Sequence, residues 1–508
     1  MLINLFPQRP DHPLADAKEL KRILAELHVE KAAHAVDELA SWFESLKHAR
    51  NFRLDHYFDV LRQLDDAGQP HLRRLARDYL YSPFLSRLEL QRLWERNYGY
   101  WTAVAALYAL CTTRARLEPK ERGADAFKVS LPLADARLQA ARRTLIKWLA
   151  YRYEPVEGEI WKSLGRTSLL AEAAGHAQKP VQLYPGHQGS SSAGHQYLHA
   201  LVFSTSSMDG LLPQQVELAD RMIAHFLPAF VCSPDCRPDS VYWVDAEKGS
   251  APTRLARHPG AARPGLRFFS PGQALAGLEE LIHVVERDEV PGSLNLGGEF
   301  PQKALLPVLR HLRVCWALKP PQRRHQRHAV KTRMAVLPGF DHSYTVFSGT
   351  SADLQTQTQS WVVENVSLGG LRTCFDESAT DRIKLGSLLC MQVEGGENWL
   401  LGTARRFNRQ AGGRANLGVQ LLARQAQGVE LQPRRSGFAA AVAIPGIWLH
   451  DDEVPGIVRL VLPLGSFSVR ETLNFSQDGR IHLLTPMEVE ASGCDYEIAR
   501  YHDQPSPA

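Results

Sequence analysis

The chain has 508 residues, which predicts two to four domains. Its composition, 44% hydrophobic and 22% charged, excludes a disordered or fibrous protein. The 59 basic and 55 acidic side chains leave a net charge of +4, which excludes a surface coated in positive charge for duplex DNA. Any anion-binding site must therefore be local.

From about residue 14 to residue 230 the sequence predicts helices, because apolar residues recur at steps of three and four. Leu218, Met222 and Phe226 share one stripe after Pro213, for example. The longest apolar run, Trp101–Cys111, is about half of what a membrane span needs, so it predicts a buried helix. The segment "GHQGSSSAGH" at 186–195 is typical of a flexible loop.

Between residues 241 and 270 the pattern predicts short strands, and two further helices are expected at Ala274–Val285 and Ala304–Leu318. Pro320 and Pro321 then end the last helix, since proline cannot donate to the helical ladder. A domain boundary is expected at this point.

Beyond the boundary the apolar period changes to two, which indicates strands. Candidate strands lie in 361–375, 387–393, 399–407 and 415–422, with turn glycines in "EGGE" (394–397) and "AGGR" (411–414). Short strands at this spacing indicate an antiparallel barrel or sandwich. A long polar loop is expected at 341–360, and a second β-rich segment with a polar end follows residue 432.

A basic segment, "PPQRRHQRHAVKTR" (320–333), joins the helical part to the strands. The fifteen residues from Lys319 to Arg333 contain six cations and no acidic residue. Repulsion among these positive charges is expected to keep the segment loosely structured until an anion binds. The segment is therefore interpreted as a ligand clamp, and the alternative is a solvated charged linker.

Two short motifs lie in this region. Arg323 and Arg327 form an R-x-x-x-R pair, and "NVSLGG" places Asn365, Ser367 and Gly370 in an N-x-S-x-x-G arrangement at the end of a strand. Each motif alone is common. Their order, their separation and the strand pattern around them indicate that the two motifs belong together.

With these motifs and the closing strand "LGVQLL", residues 320–425 resemble the PilZ family of bacterial cyclic di-GMP receptors. The resemblance implies a PilZ-like antiparallel β-barrel at 318–428 and cyclic di-GMP as ligand. With the patterns on either side of it, a multidomain α+β protein is expected: a mainly helical domain of unknown function at 1–317 precedes the barrel, and a small β-rich module with a polar tail at 429–508 follows it. Because the basic segment starts at the proline hinge, ordering it on binding is expected to change the domain arrangement.

The resemblance implies that Arg323 and Arg327 grip guanine and phosphate, while Asn365, Ser367 and Gly370 shape the barrel face beneath. Arg suits this ligand, because its planar fork matches the O6/N7 edge of guanine and its face stacks on the base. Arg324 is a further candidate for a phosphate contact.

Two alternatives stay open. The barrel can be a degenerate protein-interaction module without ligand, which the intact motifs argue against. It can also bind single-stranded nucleic acid, although the basic segment lacks the exposed aromatic side chains that such sites use. A protein partner is expected to contact the N-terminal helical domain.

The sequence shows no recognisable catalytic motif, so an enzyme is not expected, and no cofactor or metal is predicted. The Cys232–Cys236 pair and His187, His195 and His199 lack the context of a metal site. The seven scattered cysteines and the lack of a leader-like N-terminus favour a cytoplasmic, soluble protein without a transmembrane segment.

Overall fold

The computed structural model describes residues 11–27, 30–186, 189–260, 263–292, 294–298, 300–320, 322, 325–350, 358–376, 383–410, 412–434, 442–450, 454–477 and 479–507. The chain divides into two compact units. The first comprises residues 1–152, 156–208 and 212–321, and the second comprises 153–155, 209–211 and 322–508. The division between them therefore falls at residue 321, where the sequence predicts it at 317.

The first unit is helical with one small sheet. Its helices are α1 (Ala17–Glu26), α2 (Ala32–Lys47), α3 (Leu54–Tyr81), α4 (Arg87–Leu117), α5 (Ala124–Phe127), α6 (Leu131–Tyr151), α7 (Gly158–Ala173), α8 (Ala193–Thr205), α9 (Pro213–Phe226), α10 (Ala274–Glu286) and α11 (Gln302–Trp316). Strands β1 (Val231–Ser233), β2 (Tyr242–Asp245), β3 (Thr253–Arg254) and β4 (Leu266–Ser270) form a sheet in the order β1-β4-β2-β3.

The apolar run Trp101–Cys111 lies inside α4, where both of its end residues are buried, as predicted. This long helix begins at a capping box: the amide of Glu89 donates to Ser86 Oγ, and the Ser86 amide donates back to the Glu89 carboxylate at 2.8 Å. No helix in the described part of the chain is long and apolar enough to cross a membrane.

A buried polar cluster fixes the packing of α3, α4 and α6. Asp65 of α3 is fully buried and accepts hydrogen bonds from Tyr108 at 2.8 Å and Tyr100 at 3.2 Å, while Arg137 lies 3.4 Å away. Burial raises the pKa of Asp65, against the pull of Arg137 and the tyrosines. Gly68 makes room, because a Cβ there would lie 2.2 Å from the Tyr100 hydroxyl.

The segment expected as a loop at 186–195 ends in a helix. Helix α8 begins at Ala193, and Ser192 caps it by accepting a hydrogen bond from the His195 amide at 3.1 Å. A serine before a helical run is a common N-cap, but the neighbouring glycine and serines are also typical of a loop, so the N-cap could not be recognised from the sequence. His187 lies outside the described residues.

The second unit contains two closed six-stranded barrels. The first barrel consists of β5 (His328–Pro338), β6 (Gln359–Ser367), β7 (Gly370–Asp376), β8 (Leu388–Val393), β9 (Trp399–Gln410) and β10 (Arg414–Ala423). Around the barrel the strands follow the order β5-β6-β7-β10-β9-β8, all antiparallel. Trp361 and Phe375 stack in its core with ring centroids 4.2 Å apart. Gly412 and Gly413 adopt positive φ at a hairpin turn, as "AGGR" predicts.

Part of the expected polar loop at 341–360 is helical. Helix α12 spans Phe340–Phe347, and residues 351–357 lie outside the described part of the chain. Phe340 and Phe347 pack in a core cluster shared by both barrels, and the Phe340 amide donates to Asp495 at 2.7 Å. The helix was missed because its apolar residues pack against residues of both barrels that are distant in sequence.

The second barrel consists of β11 (Ala426–Pro433), β12 (Ile444–Leu449), β13 (Ile457–Pro463), β14 (Leu473–Gln477), β15 (Arg480–Ser492) and β16 (Tyr496–Pro507). Its order, β11-β12-β13-β16-β15-β14, repeats that of the first barrel strand for strand. The end of the chain, expected as a polar tail, is strand β16, whose residues Ile498 and Tyr501 are buried. The module at 429–508 is therefore a second barrel of the same topology.

Candidate functional site

Strand pairing brings Arg327 and the N-x-S-x-x-G motif to one end of the first barrel. Arg327 directly precedes β5, whose first residues His328 and Ala329 pair with Val366 and Asn365 of β6. Arg327, the second arginine of the R-x-x-x-R pair, therefore lies beside the strand that carries N-x-S-x-x-G. Arg327 is exposed.

The N-x-S-x-x-G motif closes the β6–β7 hairpin. Ser367 pairs with Gly370 across the turn, and its hydroxyl donates to the Gly370 carbonyl at 3.0 Å. This bond orients the hydroxyl and leaves its lone pairs for a donor from a ligand. A Cβ built on Gly369 would lie 3.3 Å from the His325 ring, so His325 of the basic segment lies close to this turn.

A β-bulge turns the polar residues of β6 to the outside of the barrel. Val363 pairs with Thr373, but Asn365 pairs with Arg372, so Glu364 is the extra residue. Val363 is in the barrel core and Val366 packs against it, although the two are three positions apart. Asn365 consequently lies on the outer face beside Arg372.

Asn365 presents an acceptor without a donor. Its Oδ1 atom is buried and has no hydrogen-bond partner among the described residues. A buried polar atom left unpaired costs about 1–3 kcal/mol, and such atoms in folded proteins commonly await a water, an ion or a ligand. A guanidinium or a guanine N–H group would satisfy it.

Gly370 is required by the barrel itself. A Cβ at this position would lie 2.3 Å from the carbonyl oxygen of Val419 on the neighbouring strand β10. The close approach at this glycine is therefore to the backbone of β10, against which the residue is buried, and its role toward a ligand stays a prediction.

Arginines surround the outer face of the motif. Arg372 pairs with Gly418 of β10, and Gly418 pairs in turn with Arg406 of β9. Arg405 donates to Gln420 at 2.8 Å, which holds a third guanidinium in the same region. Three arginines therefore lie on neighbouring strands near the motif.

A cavity of about 650 Å³ opens on the outer face of the first barrel. Its walls come from β5, β6, β7 and β10. The lining includes Lys331, Arg333, Val362, Glu364, Cys374 and Arg414. Burial raises the pKa of the Cys374 thiol, with Glu364 adding to the effect, so this side chain stays protonated at neutral pH.

Two of the predicted site residues, Arg323 and Arg324, lie outside the described residues, so their roles stay predictions. Sequence reasoning missed Glu364, Arg372 and Arg406. Only the strand register, which brings these three to the motif, could have identified them.

Of the histidines weighed as metal ligands, His199 takes part in helix packing. His199 lies on α8, and its Nε2 is 2.7 Å from Asp220, which also accepts from Arg143 at 2.8 Å and Lys147 at 2.9 Å. Burial, reinforced by the Arg143 charge, lowers the pKa of His199 to about 4. His199 is therefore neutral at pH 7 and donates its Nε2 proton to Asp220.

No cluster of three or more potential ligands suited to a metal ion occurs in the described ranges. Cys232 and Cys236 form no disulfide, and both are exposed.

Comparison with known families identifies the helical part. Residues 18–235 match the family described as cyclic-di-GMP receptor FimW, N-terminal domain. The region matched to the FimW N-terminal family begins in α1 and ends just after β1, so it contains neither barrel nor either motif. No curated protein matches the chain.

The FimW N-terminal match and the two barrel motifs lie in separate parts of the chain. The helical region resembles no family by its short motifs. No short motif marks it, and only the pattern over the whole of 18–235 identifies it.

Proposed function

We propose that this chain is a cyclic di-GMP receptor whose ligand binds to the outer face of the first barrel, and that it is not an enzyme. The observation that carries the proposal is the strand register, which brings Arg327 beside Asn365 and Ser367. The match of residues 18–235 to a family described as a cyclic-di-GMP receptor supports it from an independent region. The proposal assigns the barrel to the PilZ family.

The chemistry of the face suits a dinucleotide with two phosphates and two guanines. Arg323, Arg324 and Arg327 supply charge and planar forks, and the forks match the O6/N7 edge of guanine. On the barrel face, the buried Asn365 Oδ1 and the oriented Ser367 hydroxyl accept hydrogen bonds from the ligand. The ligand is thus clamped between the basic segment and the barrel.

The second barrel lacks these groups. The chain between β12 and β13, where the first barrel carries N-x-S-x-x-G, reads "HDDEVPG" (450–456), and only Arg424 and Gln425 separate β10 from β11. An acidic turn repels phosphate. We therefore assign one cyclic di-GMP site to the chain, on the first barrel.

The proposal is tested by calorimetric titration of the full-length protein with cyclic di-GMP and, separately, with a single-stranded oligonucleotide. Saturable binding of the dinucleotide alone supports the proposal. A protein that binds neither would be better described as a degenerate interaction module, and preference for the oligonucleotide would favour single-stranded nucleic-acid binding.

Asn365→Ala separates binding from stability. We expect this variant to bind cyclic di-GMP roughly tenfold more weakly, because one hydrogen bond in the complex is lost. We expect its melting temperature to hold or rise, because a buried acceptor without a partner is removed. Calorimetry and thermal unfolding measure the two effects.

Asn416→Ala is the matched control for that variant. Asn416 lies on β10, and its Oδ1 atom is also buried without a partner among the described residues, but it does not belong to the motif. Its replacement should leave the affinity unchanged. Equal affinity losses in both variants would argue against a specific role for Asn365.

We propose further that binding changes the arrangement of the two units. The division at residue 321 lies at the start of the basic segment, so ordering that segment acts directly on one of the links between the units. A ligand shifts such an equilibrium only by its differential affinity for the two arrangements. We expect X-ray scattering profiles to change on adding cyclic di-GMP, and superimposable profiles would contradict the coupling.

We propose that the helical unit contacts a protein partner and that the chain works in the cytoplasm. Tyr81, Phe84 and Leu88 are exposed near the start of α4, and Phe84 is 95% exposed. Such a patch is typical of interaction surfaces, and cross-linking in cells would test it.

The structure has no disulfide among its seven cysteines, which suits a reducing compartment. Labelling of thiols in intact cells tests the location.

A further inference from the structure

Glu364 is out of place in a site for a doubly negative ligand. It is the bulge residue of β6, it lines the cavity of about 650 Å³, and it directly precedes Asn365. A cavity of this size lies in the range of small-molecule sites. A carboxylate beside bound phosphates costs free energy unless it serves another contact.

Arg372 neutralises Glu364 in this structure. The Arg372 Nε atom lies 2.9 Å from Glu364 Oε2, and the two side chains are 45% and 38% exposed. An ion pair with this much exposure contributes little to stability, so exchanging its partners costs little. Arg372 can turn to a phosphate while Glu364 turns to a base.

We propose that Glu364 selects guanine over other bases, an inference that rests on the proposed cyclic di-GMP site. The Watson–Crick edge of guanine carries two adjacent donors, N1–H and the N2 amine, and an ionised carboxylate offers two acceptors and no donor. The Glu364 carboxylate accepts a hydrogen bond from N1–H and another from the N2 amine, and Arg372 pairs with a phosphate of the ligand.

Adenine is rejected by the same carboxylate. Its N1 atom is an acceptor and it has no amine at position 2, so Glu364 would face a lone pair and lose both hydrogen bonds. Sites that hydrogen-bond a substrate group discriminate strongly against analogues without it, because the protein's polar groups are left unpaired. The arginine forks read the O6/N7 edge, so the base is recognised on two edges.

The test compares three proteins with three ligands. Full-length wild type and Glu364→Gln are titrated with cyclic di-GMP, with its inosine analogue, which lacks only the N2 amine, and with cyclic di-AMP. Glu394→Gln, an exposed glutamate on the same barrel outside the cavity lining, is the charge-matched control.

We expect wild type and Glu394→Gln to prefer cyclic di-GMP over the inosine analogue by about tenfold. We expect Glu364→Gln to reduce this preference below about threefold and to narrow the gap to cyclic di-AMP. An unchanged preference in Glu364→Gln, or an equal loss for all three ligands, overturns the role of Glu364. Failure of wild type to bind cyclic di-GMP overturns the proposed function instead.

Discussion

The double variant Arg323→Ala/Arg327→Ala is expected to lose nearly all affinity for cyclic di-GMP while keeping its fold. Each guanidinium fork removed should cost about 1–3 kcal/mol, the scale of one bidentate guanine contact. Together the two changes weaken binding by roughly thirtyfold to more than ten-thousandfold. Calorimetry on the full-length protein measures the loss, and the single variants apportion it.

Helix α3 carries a matched control. Arg73 and Arg77 form another R-x-x-x-R pair, both residues are exposed, and they lie in the helical unit. Replacing both by alanine removes the same charge and the same spacing, so it should leave the affinity unchanged. Equal affinity losses in the two double variants would show that net charge, not the clamp, attracts the ligand.

Gly370→Ala is expected to destabilise the first barrel strongly. The new methyl group would be 2.3 Å from the Val419 carbonyl oxygen, a backbone atom that cannot move without opening the β7–β10 ladder. Overpacking of this kind typically costs about 1–3 kcal/mol and sometimes more. We expect a lower melting temperature for the second unit and faster amide exchange in β7 and β10. Tryptophan fluorescence or circular dichroism measures the melting temperature.

The adjacent glycine supplies the comparison. A methyl group on Gly369 would meet only the His325 side chain, at 3.3 Å, and an exposed imidazole can move aside. Gly369→Ala should therefore unfold close to the wild-type temperature. If the two alanine variants melted together, the close approach of Gly370 to β10 would not be what makes glycine necessary there.

The first barrel could be predicted from sequence because its signals are local. Alternation of apolar residues and turn glycines such as Gly412 and Gly413 mark strands and hairpins within a few residues. The long amphipathic helices were predictable for the same reason. Helix α12 and strand β16 were not, because the cores that bury them are assembled from residues distant in sequence.

The site could be predicted only in part. Residue types and spacing identify Arg327, Asn365 and Ser367 as candidates, since the chemistry of a guanine phosphate ligand demands such groups. Glu364 and Arg372 could not be identified that way. They reach the site through the strand register and the bulge, which no spacing rule predicts.

The bulge at Glu364 has a consequence for evolution and engineering. In a strand, the side to which each side chain points depends on the parity of its position, and the extra residue shifts that parity between Val363 and Asn365. If Glu364 paired regularly with Arg372, every chemical group would be preserved, yet Asn365 and Ser367 would turn toward the apolar core and Val366 would turn toward water. Loss of binding among related barrels can thus begin with a change of strand pairing that leaves both motifs readable.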